Sequence, residues 1–385
     1  MKITVVNSVR LLPTAYRSLL DFNHRGDLFS TMPWWQLFEQ HIATDHARRR
    51  IYAAYDDTTG RPRGVLLTYQ MSERTGFSNA RALSAMSNYY SGLFEPIVDG
   101  AGPDGDDAIR ALVEFVANER PRWDAIDFHP LDHDAVSFST LHRTLRRAGF
   151  AVQPYFCFGN WYLEVDGRSH AEYFSSLQSR TRNTVQRRTR RLEREGNAEI
   201  RIVTDLADVD AAMDAYERVY NSSWKKPEPY GAFIRDFARS AAEYGWLRLG
   251  LAYINGEPAA AQIWFVMDGT AYIFKLAYDE RFVDLSIGSI LTNTLMKHVI
   301  DCDRVRVVDY LSGDDSYKRD WMSHRRERWG LVAFNLSTWR GVASAARHIG
   351  GATVKRWINT LRGTPRSSGM NTAESAQAEN AERRN

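Results

Sequence analysis

Two dipeptides constrain this chain more than anything else in it. Asn255-Gly256 separates the apolar runs WLRLGLAYI and AAAQIWFVM, and Asp268-Gly269 separates the second run from TAYIFKLAY. A two-residue type I′ turn needs positive φ at both central positions, which Asn-Gly and Asp-Gly supply at the least steric cost. Three antiparallel strands follow. Beyond them Ile287, Ile290, Leu291, Leu295 and Val299 recur at helical spacing, and Val305, Val307 and Val308 form a β-branched run that ends in the loop SGDD. A helix between two such strands predicts a crossover and a parallel pair. A short helix around 316–323 and a last strand near 329–335 complete an order β-β-β-α-β-α-β. Upstream, Leu206, Val209, Met213, Tyr216 and Val219 mark one amphipathic helix, and Phe233, Ile234 and Phe237 open another.

The first 165 residues repeat this plan loosely. IYAAYDDTTGRPRGVLLTYQ resembles LGLAYINGEPAAAQIWFVM, and WDAIDFHPL resembles VRVVDYLSG, which puts Asp127 and Asp309 at matching strand ends. An internal duplication and chance similarity both account for this. A chain of 385 residues with 44% hydrophobic content has material for two cores of ordinary domain size. The expected division is a degenerate first half over 1–165, an Arg-rich connecting helix over 166–200, a cofactor-binding catalytic half over 201–340, a basic helix over 341–362 and a disordered tail over 363–385.

Charge and cysteine usage exclude several classes. The formal charge is +3, so no global field marks a nucleic-acid binder. Cys157 and Cys302 stand far apart without metal-ligand spacing, which argues against a disulfide framework and a structural zinc. His129, Asp132, His133 and Asp134 fall in one loop with no second cluster, so no metal is expected there. With no leader-like N-terminus and no 18-residue apolar run, the expected location is the cytoplasm. Segment 338–362 carries five Lys/Arg, two tryptophans and no acids; docking on the protein itself and peripheral membrane contact both fit it.

The chemistry-bearing residues concentrate in two places. In AYDERFVDLSIGSIL, Ser286 is placed to cap a helix, Gly288 lets a backbone approach closely and Ser289 adds a hydroxyl; Ser286, Ile287, Gly288 and Ser289 therefore form a candidate pyrophosphate loop at a helix N-terminus, although an ordinary capped helix uses the same residues. The matching first-half loop VDGAGPDGDDAIRAL carries Asp99, Asp104, Asp106 and Asp107, which would repel a pyrophosphate. In VVDYLSGDDSYKRDW, a parallel strand ends at Asp309-Tyr310, where ligands of open α/β sheets bind. Asp309, Asp314, Asp315, Tyr317 and Lys318 are expected to converge on the cleft, with Asp309, Asp314 and Tyr317 as proton handlers and Asp315, Lys318 and Lys275 toward the substrate; helix capping and packing are the alternative roles.

These segments, with FSTMPWWQLFE and the helix SLQSRTRNTVQRRTRRLEREG, resemble the FemAB-like and CelD-like branch of the GNAT acetyltransferases over residues 25 to 340. The family's Lys-x-x-Tyr strand and following glycine correspond to Lys275, Tyr278 and Gly288, and its D-x-x-x-G-D-x-x-Y-K pattern to Asp309, Gly313, Asp314, Tyr317 and Lys318. The resemblance implies two tandem GNAT-like halves, each an α/β mixed, mostly antiparallel sheet flanked by helices. It further implies transfer of an acetyl or other acyl group from acyl-CoA, without metal, to a small-molecule or glycan- or lipid-linked acceptor. Leu276, Ala277 and Tyr278 on the third strand would hold the thioester. The loop 285–290 keeps only the central glycine of the usual pyrophosphate pattern, and FemAB relatives use aminoacyl-tRNA, so a tRNA-dependent ligase is the alternative enzyme and a non-catalytic scaffold the third reading. Arg187, among seven arginines on the connecting helix, is a candidate anion contact; Glu193, Glu195 and the lack of stacking aromatics argue against RNA there.

Overall fold

The computed structural model describes residues 1–20, 27–71, 80–100 and 102–350. The expected tail at 363–385 and most of the expected basic helix lie outside the described residues. The first half runs β1 (Lys2–Val6), α1 (Met32–His41), β2 (Arg49–Tyr55), β3 (Pro62–Gln70), β4 (Ala82–Ala85), β5 (Ile97–Val98), α2 (Pro103–Asn118), β6 (Ala125–Asp132), α3 (Val136–Arg147) and β7 (Phe150–Glu164). Next come α4 (His170–Ser176) and the arginine helix α5 (Ser179–Glu195). The second half runs β8 (Ala198–Val203), α6 (Leu206–Asn221), α7 (Gly231–Glu243), β9 (Leu247–Ile254), β10 (Glu257–Met267) and β11 (Thr270–Tyr278), then α8 (Ile287–Lys297), β12 (Val307–Asp309), α9 (Ser316–Arg319) and β13 (His324–Asn335). A last helix, α10, spans Trp339–Ala345.

The hairpins form where the turn dipeptides require them. Asn255, Gly256, Asp268 and Gly269 all take positive φ, between 43° and 78°. Helix α5 stops at Gly196, whose φ of 64° lets its amide close back on the Leu192 carbonyl. Strand β8 was not expected from the sequence; its alternating AEIRIV pairs antiparallel with β9 at the sheet edge. The last strand starts at His324, five residues before the expected position.

All thirteen strands join one sheet, in which the order is β1-β2-β3-β4-β6-β13-β7-β12-β11-β10-β9-β8, with β5 beside β3. The order reads the same from both ends. Four antiparallel strands lead to one parallel neighbour in each half: β4 with β6 over Ala82–Ser84, and β11 with β12 over Thr270–Tyr272. The last paired residues are Asp127 and Asp309, the matched aspartates of the sequence. A duplicated plan gives this symmetry, with one alteration: each half lends its last strand to the other. Strand β13 lies between β6 and β7, and β7 between β13 and β12, so the two half-sheets are continuous.

Successive side chains of a strand face opposite sides, and the second half uses both. Trp264 and Val308 pack with Ile287, Leu291 and Leu295 of α8. Ile263, Phe265 and Tyr272 instead join the core that holds α6, α7 and α1. The sheet therefore separates α8 from the α6–α7 pair.

Candidate functional site

The parallel pair β11–β12 opens almost as soon as it forms. Strand β12 has three residues and stops at Tyr272↔Asp309, while β11 continues to Tyr278 with only β10 beside it among the described residues. Lys275, Leu276, Ala277 and Tyr278 lie on this extension, so backbone there faces a gap rather than a strand.

Helix α8 begins at the mouth of that gap. Ser286 occupies the N-cap position in the left-handed region, φ 53°, yet its side chain makes no cap bond, contrary to the expected capping role. Among the described residues the amides of Ile287 and Gly288 have no internal acceptor, while those of Ser289 and Ile290 bond the Ser286 carbonyl. An uncapped first turn concentrates N–H groups and the positive end of the dipole at one spot. The Ile287 side chain is buried in the core, so only its backbone can serve a ligand. A Cβ at Gly288 would come 3.3 Å from Tyr278 Cδ1. Behind the turn the Gly288 carbonyl accepts from Gln262 Nε2 at 3.1 Å and Thr292 Oγ1 at 3.0 Å, and Trp264 Nε1 donates to Gln262 Oε1 at 2.9 Å. This buried polar cluster fixes the helix start.

The first-half counterpart is closed to anions. Asp104 and Asp106 sit in the first turn of α2; Asp104 pairs with Arg63 at 3.2 Å, and Asp106 accepts from Thr140 Oγ1 at 3.0 Å.

The segment after β12 divides the expected residues. Asp309, 3% exposed, accepts from Asn160 Nδ2 at 2.6 Å and the Leu311 amide at 2.7 Å through Oδ1, and from Arg326 through Oδ2. It faces the cavity lined by Phe29, Tyr272 and Arg328, on the opposite side of the sheet from Val308 and α8. With both oxygens engaged it knits β12, β7 and β13 together; the expected proton-handling role does not fit. Asp314 is likewise engaged, by Arg325 at 2.6 to 3.1 Å and Trp161 Nε1 at 2.8 Å. The Arg325 hydrogen bonds hold its carboxyl below the ordinary value against desolvation, so it too is a poor base. Lys318 is buried, with Nζ 2.6 Å from the Ser312 carbonyl and 3.2 Å from Asp315 Oδ2. It ties the turn through Gly313, φ 103°, and binds the loop rather than a substrate. Asp315 makes no cap bond on α9 and serves as that lysine's partner.

Tyr317 differs from its neighbours. It is 39% exposed, its ring meets Tyr310 edge-on at 5.9 Å, and its hydroxyl has no hydrogen-bond partner among the described residues. Desolvation, then Tyr310 and Asp315, pushes that hydroxyl above the ordinary tyrosine value even though the residue is partly exposed. Tyr310 packs with α8, which puts Tyr317 near the α8 side of the sheet.

Lys275 is also committed. Its Nζ pairs with Glu228 Oε2 at 2.7 Å and lies 4.5 Å from the Tyr90 ring centre. Glu228 further accepts from Tyr89 at 3.1 Å and from Tyr90. Burial would raise its pKa, but Lys275 and the two tyrosines outweigh burial and hold it below the ordinary value. Trp224, partly exposed, sits 4.6 Å from the Tyr278 ring. Nothing local in the sequence points to Glu228, Tyr89, Tyr90 or Trp224 as neighbours of Lys275 and Tyr278, because the contacts join segments up to 139 positions apart. Through Tyr89 and Tyr90 the first half thus reaches Lys275 on the β11 extension.

Helix α5 packs beside α8 through a thin stripe that includes Val185 and Leu192. Arg191 lies within electrostatic reach of Asp284, in the loop that leads into α8. Arg187 and Arg190 are exposed and line a shallow surface hollow with Gln186 and Arg194.

Residues 179–319 match the family described as an acetyltransferase (GNAT) domain. No curated protein matches the sequence. The crystal structure of FemX superposes with a TM-score of 0.58 at 11% identity, covering 87% of this chain and 98% of FemX. L-PGS from Bacillus licheniformis gives 0.53 at 11% identity, covering 87% and 95%, and a conserved protein of unknown function from Bacteroides thetaiotaomicron gives 0.53 at 11%, covering 84% and 98%. The chain thus shares the fold of FemX and L-PGS, and the GNAT acetyltransferase match spans the strand gap, the uncapped start of α8 and Tyr317.

Proposed function

We propose that the chain is an acyltransferase that moves an acetyl or other acyl group from acyl-CoA to an amine or hydroxyl on a glycan- or lipid-linked or small acceptor. One observation carries this reading: the gap between β11 and β12 opens onto a helix whose first two amides have no internal acceptor. Those amides, with the Ser289 hydroxyl, suit a pyrophosphate. Backbone N–H groups around Leu276 and Ala277 suit the thioester oxygen as charge develops on it. The acyl–sulfur bond breaks as the acyl–nitrogen or acyl–oxygen bond forms, Tyr317 gives its proton to the departing thiolate, and the proton that the attacking amine or hydroxyl sheds passes through solvent to restore the tyrosine. Transfer is direct. Cys157 is half-buried, and desolvation followed by Asp127 pushes its thiol up to about 12, far from a thiolate nucleophile at neutral pH.

A second reading follows from α5. A FemAB-type ligase would bring an aminoacyl-tRNA to the same cleft, and the exposed Arg187 and Arg190 of α5 would suit its phosphates. Purified chain incubated with labelled acetyl-CoA or with charged tRNA separates the two. Saturable binding of acetyl-CoA alone supports the leading reading, binding of charged tRNA alone supports the ligase, and binding of neither supports a scaffold.

A further inference from the structure

Beyond β13 the chain presents a face that the acyl-transfer reading does not use. Helix α10 is anchored on one side only. Gly341, Ser344 and Ala345 are buried, and a Cβ on Gly341 would collide with the Asn335 carbonyl, so the helix sits close against β13. Ala345 packs with Val332 and Phe334. The outward side of the helix exposes Trp339 at 76% and Val342 at 46%, and the turn before it exposes Leu336 at 53%. Neighbouring exposed apolar side chains rimmed by polar residues mark interaction or membrane sites.

The charge that follows along the sequence is of one sign. From Leu336 to Ala373 the sequence holds Arg340, Arg347, Lys355, Arg356, Arg362 and Arg366 and no acidic residue. Arg340 lies with its guanidinium 5.2 Å from the Trp339 ring centre, so cation and aromatic sit together. A projecting tryptophan flanked by aliphatic side chains and bordered by arginines fits the boundary of an anionic lipid bilayer: the ring enters the headgroup region while the cations meet lipid phosphates. No helix among the described residues is long and apolar enough to cross a membrane, so contact through α10 would be peripheral.

We infer that the outer face of α10, centred on Trp339 and Val342 and bordered by Arg340 and Arg347, docks the protein on an anionic lipid surface. This inference stands apart from the acyl-transfer reading. The test is co-sedimentation of the full chain with vesicles of phosphatidylcholine alone or with about one third phosphatidylglycerol, alongside size-exclusion chromatography. The chain should sediment with the anionic vesicles and not with the neutral ones. Trp339→Ser with Val342→Ser should lower partitioning at least tenfold, as should Arg340→Glu with Arg347→Glu, since each cation near such a surface is worth about fivefold. All four positions are exposed, and an unchanged thermal melt checks that the variants fold. Three results would overturn the inference: no sedimentation with either vesicle, sedimentation that the Trp339/Val342 variant leaves intact, or a wild-type dimer that the same variant dissociates, which would mark the face as a contact between copies.

Discussion

Replacing Tyr317 with phenylalanine removes one oxygen and nothing else. Because the hydroxyl has no hydrogen-bond partner among the described residues, its loss leaves no orphaned donor or acceptor. The edge-on contact with Tyr310 at 5.9 Å needs only the ring. Stability should therefore change by no more than about 0.5 kcal/mol, the usual range for a change away from special features. Catalysis should respond differently if the hydroxyl protonates the thiolate. Loss of a general acid costs about 10²-fold to 10⁴-fold in kcat, or about 2.7 to 5.4 kcal/mol of transition-state stabilisation. The assay is thiol release from acetyl-CoA in the presence of an acceptor, with donor affinity by calorimetry and a thermal melt on the same preparations. Donor affinity should stay within about twofold, because the charge that the hydroxyl serves exists only in the transition state. The pH dependence has a definite sign: the working form is protonated, so activity due to this group is lost as pH rises through its pKa. Since that pKa is raised above the ordinary value of about 10, no fall assignable to Tyr317 should occur between pH 7 and 9. A variant with turnover within threefold of wild type would refute the assignment and direct attention to Tyr278.

Gly288→Glu should abolish measurable acetyl-CoA binding, because the new side chain starts 3.3 Å from Tyr278 and carries a negative charge to the α8 amides; unchanged affinity by calorimetry refutes the donor site. Gly102→Glu should leave donor affinity alone yet lower stability by about 1 to 2 kcal/mol, since Gly102 holds φ at 80°, and a Tm equal to wild type would contradict this. Asp309→Asn should cost about 2 to 4 kcal/mol by urea titration, through the broken pair with Arg326, while kcat per folded molecule stays within about threefold; a selective loss of kcat would restore it as a proton handler. Charge reversal at Arg187 and Arg190 should raise KM for an anionic ligand more at low salt than at high, whereas a salt-independent loss of kcat would refute an electrostatic role.

The second half was legible because its signals are local. Asn255-Gly256 and Asp268-Gly269 fix two turns whatever surrounds them, and the spacing from Ile287 to Leu295 announces α8 within three turns of helix. The match of Asp127 with Asp309 was legible for the same reason, since it rests on two short similar runs. What the sequence withheld is non-local. Nothing near Asp309 announces that Asn160 and Arg326 will take up its oxygens, because those residues lie on strands that become neighbours only when the sheet closes. The expected convergence of Asp309 with Tyr317 failed on strand alternation: one residue of difference, from Val308 to Asp309, turns a side chain to the other side of the sheet. Glu228 and the Tyr89–Tyr90 pair were hidden likewise, because their contacts with Lys275 form across the two halves.

The exchange of last strands also sets the order in which the chain can be finished. Strand β6 waits for β13 as its neighbour, and β13 begins at His324, almost two hundred residues after β6 ends. During synthesis the first half therefore leaves the ribosome with an open edge on β6 and a fifteen-residue strand, β7, whose two partners do not yet exist. Pairings of such long separation form slowly, because the intervening loop must close before any contact offsets its entropy. Until the last fifty residues of the described fold have been made, both edges are templates for other strands, so the nascent protein is most exposed to misassembly late in translation rather than early.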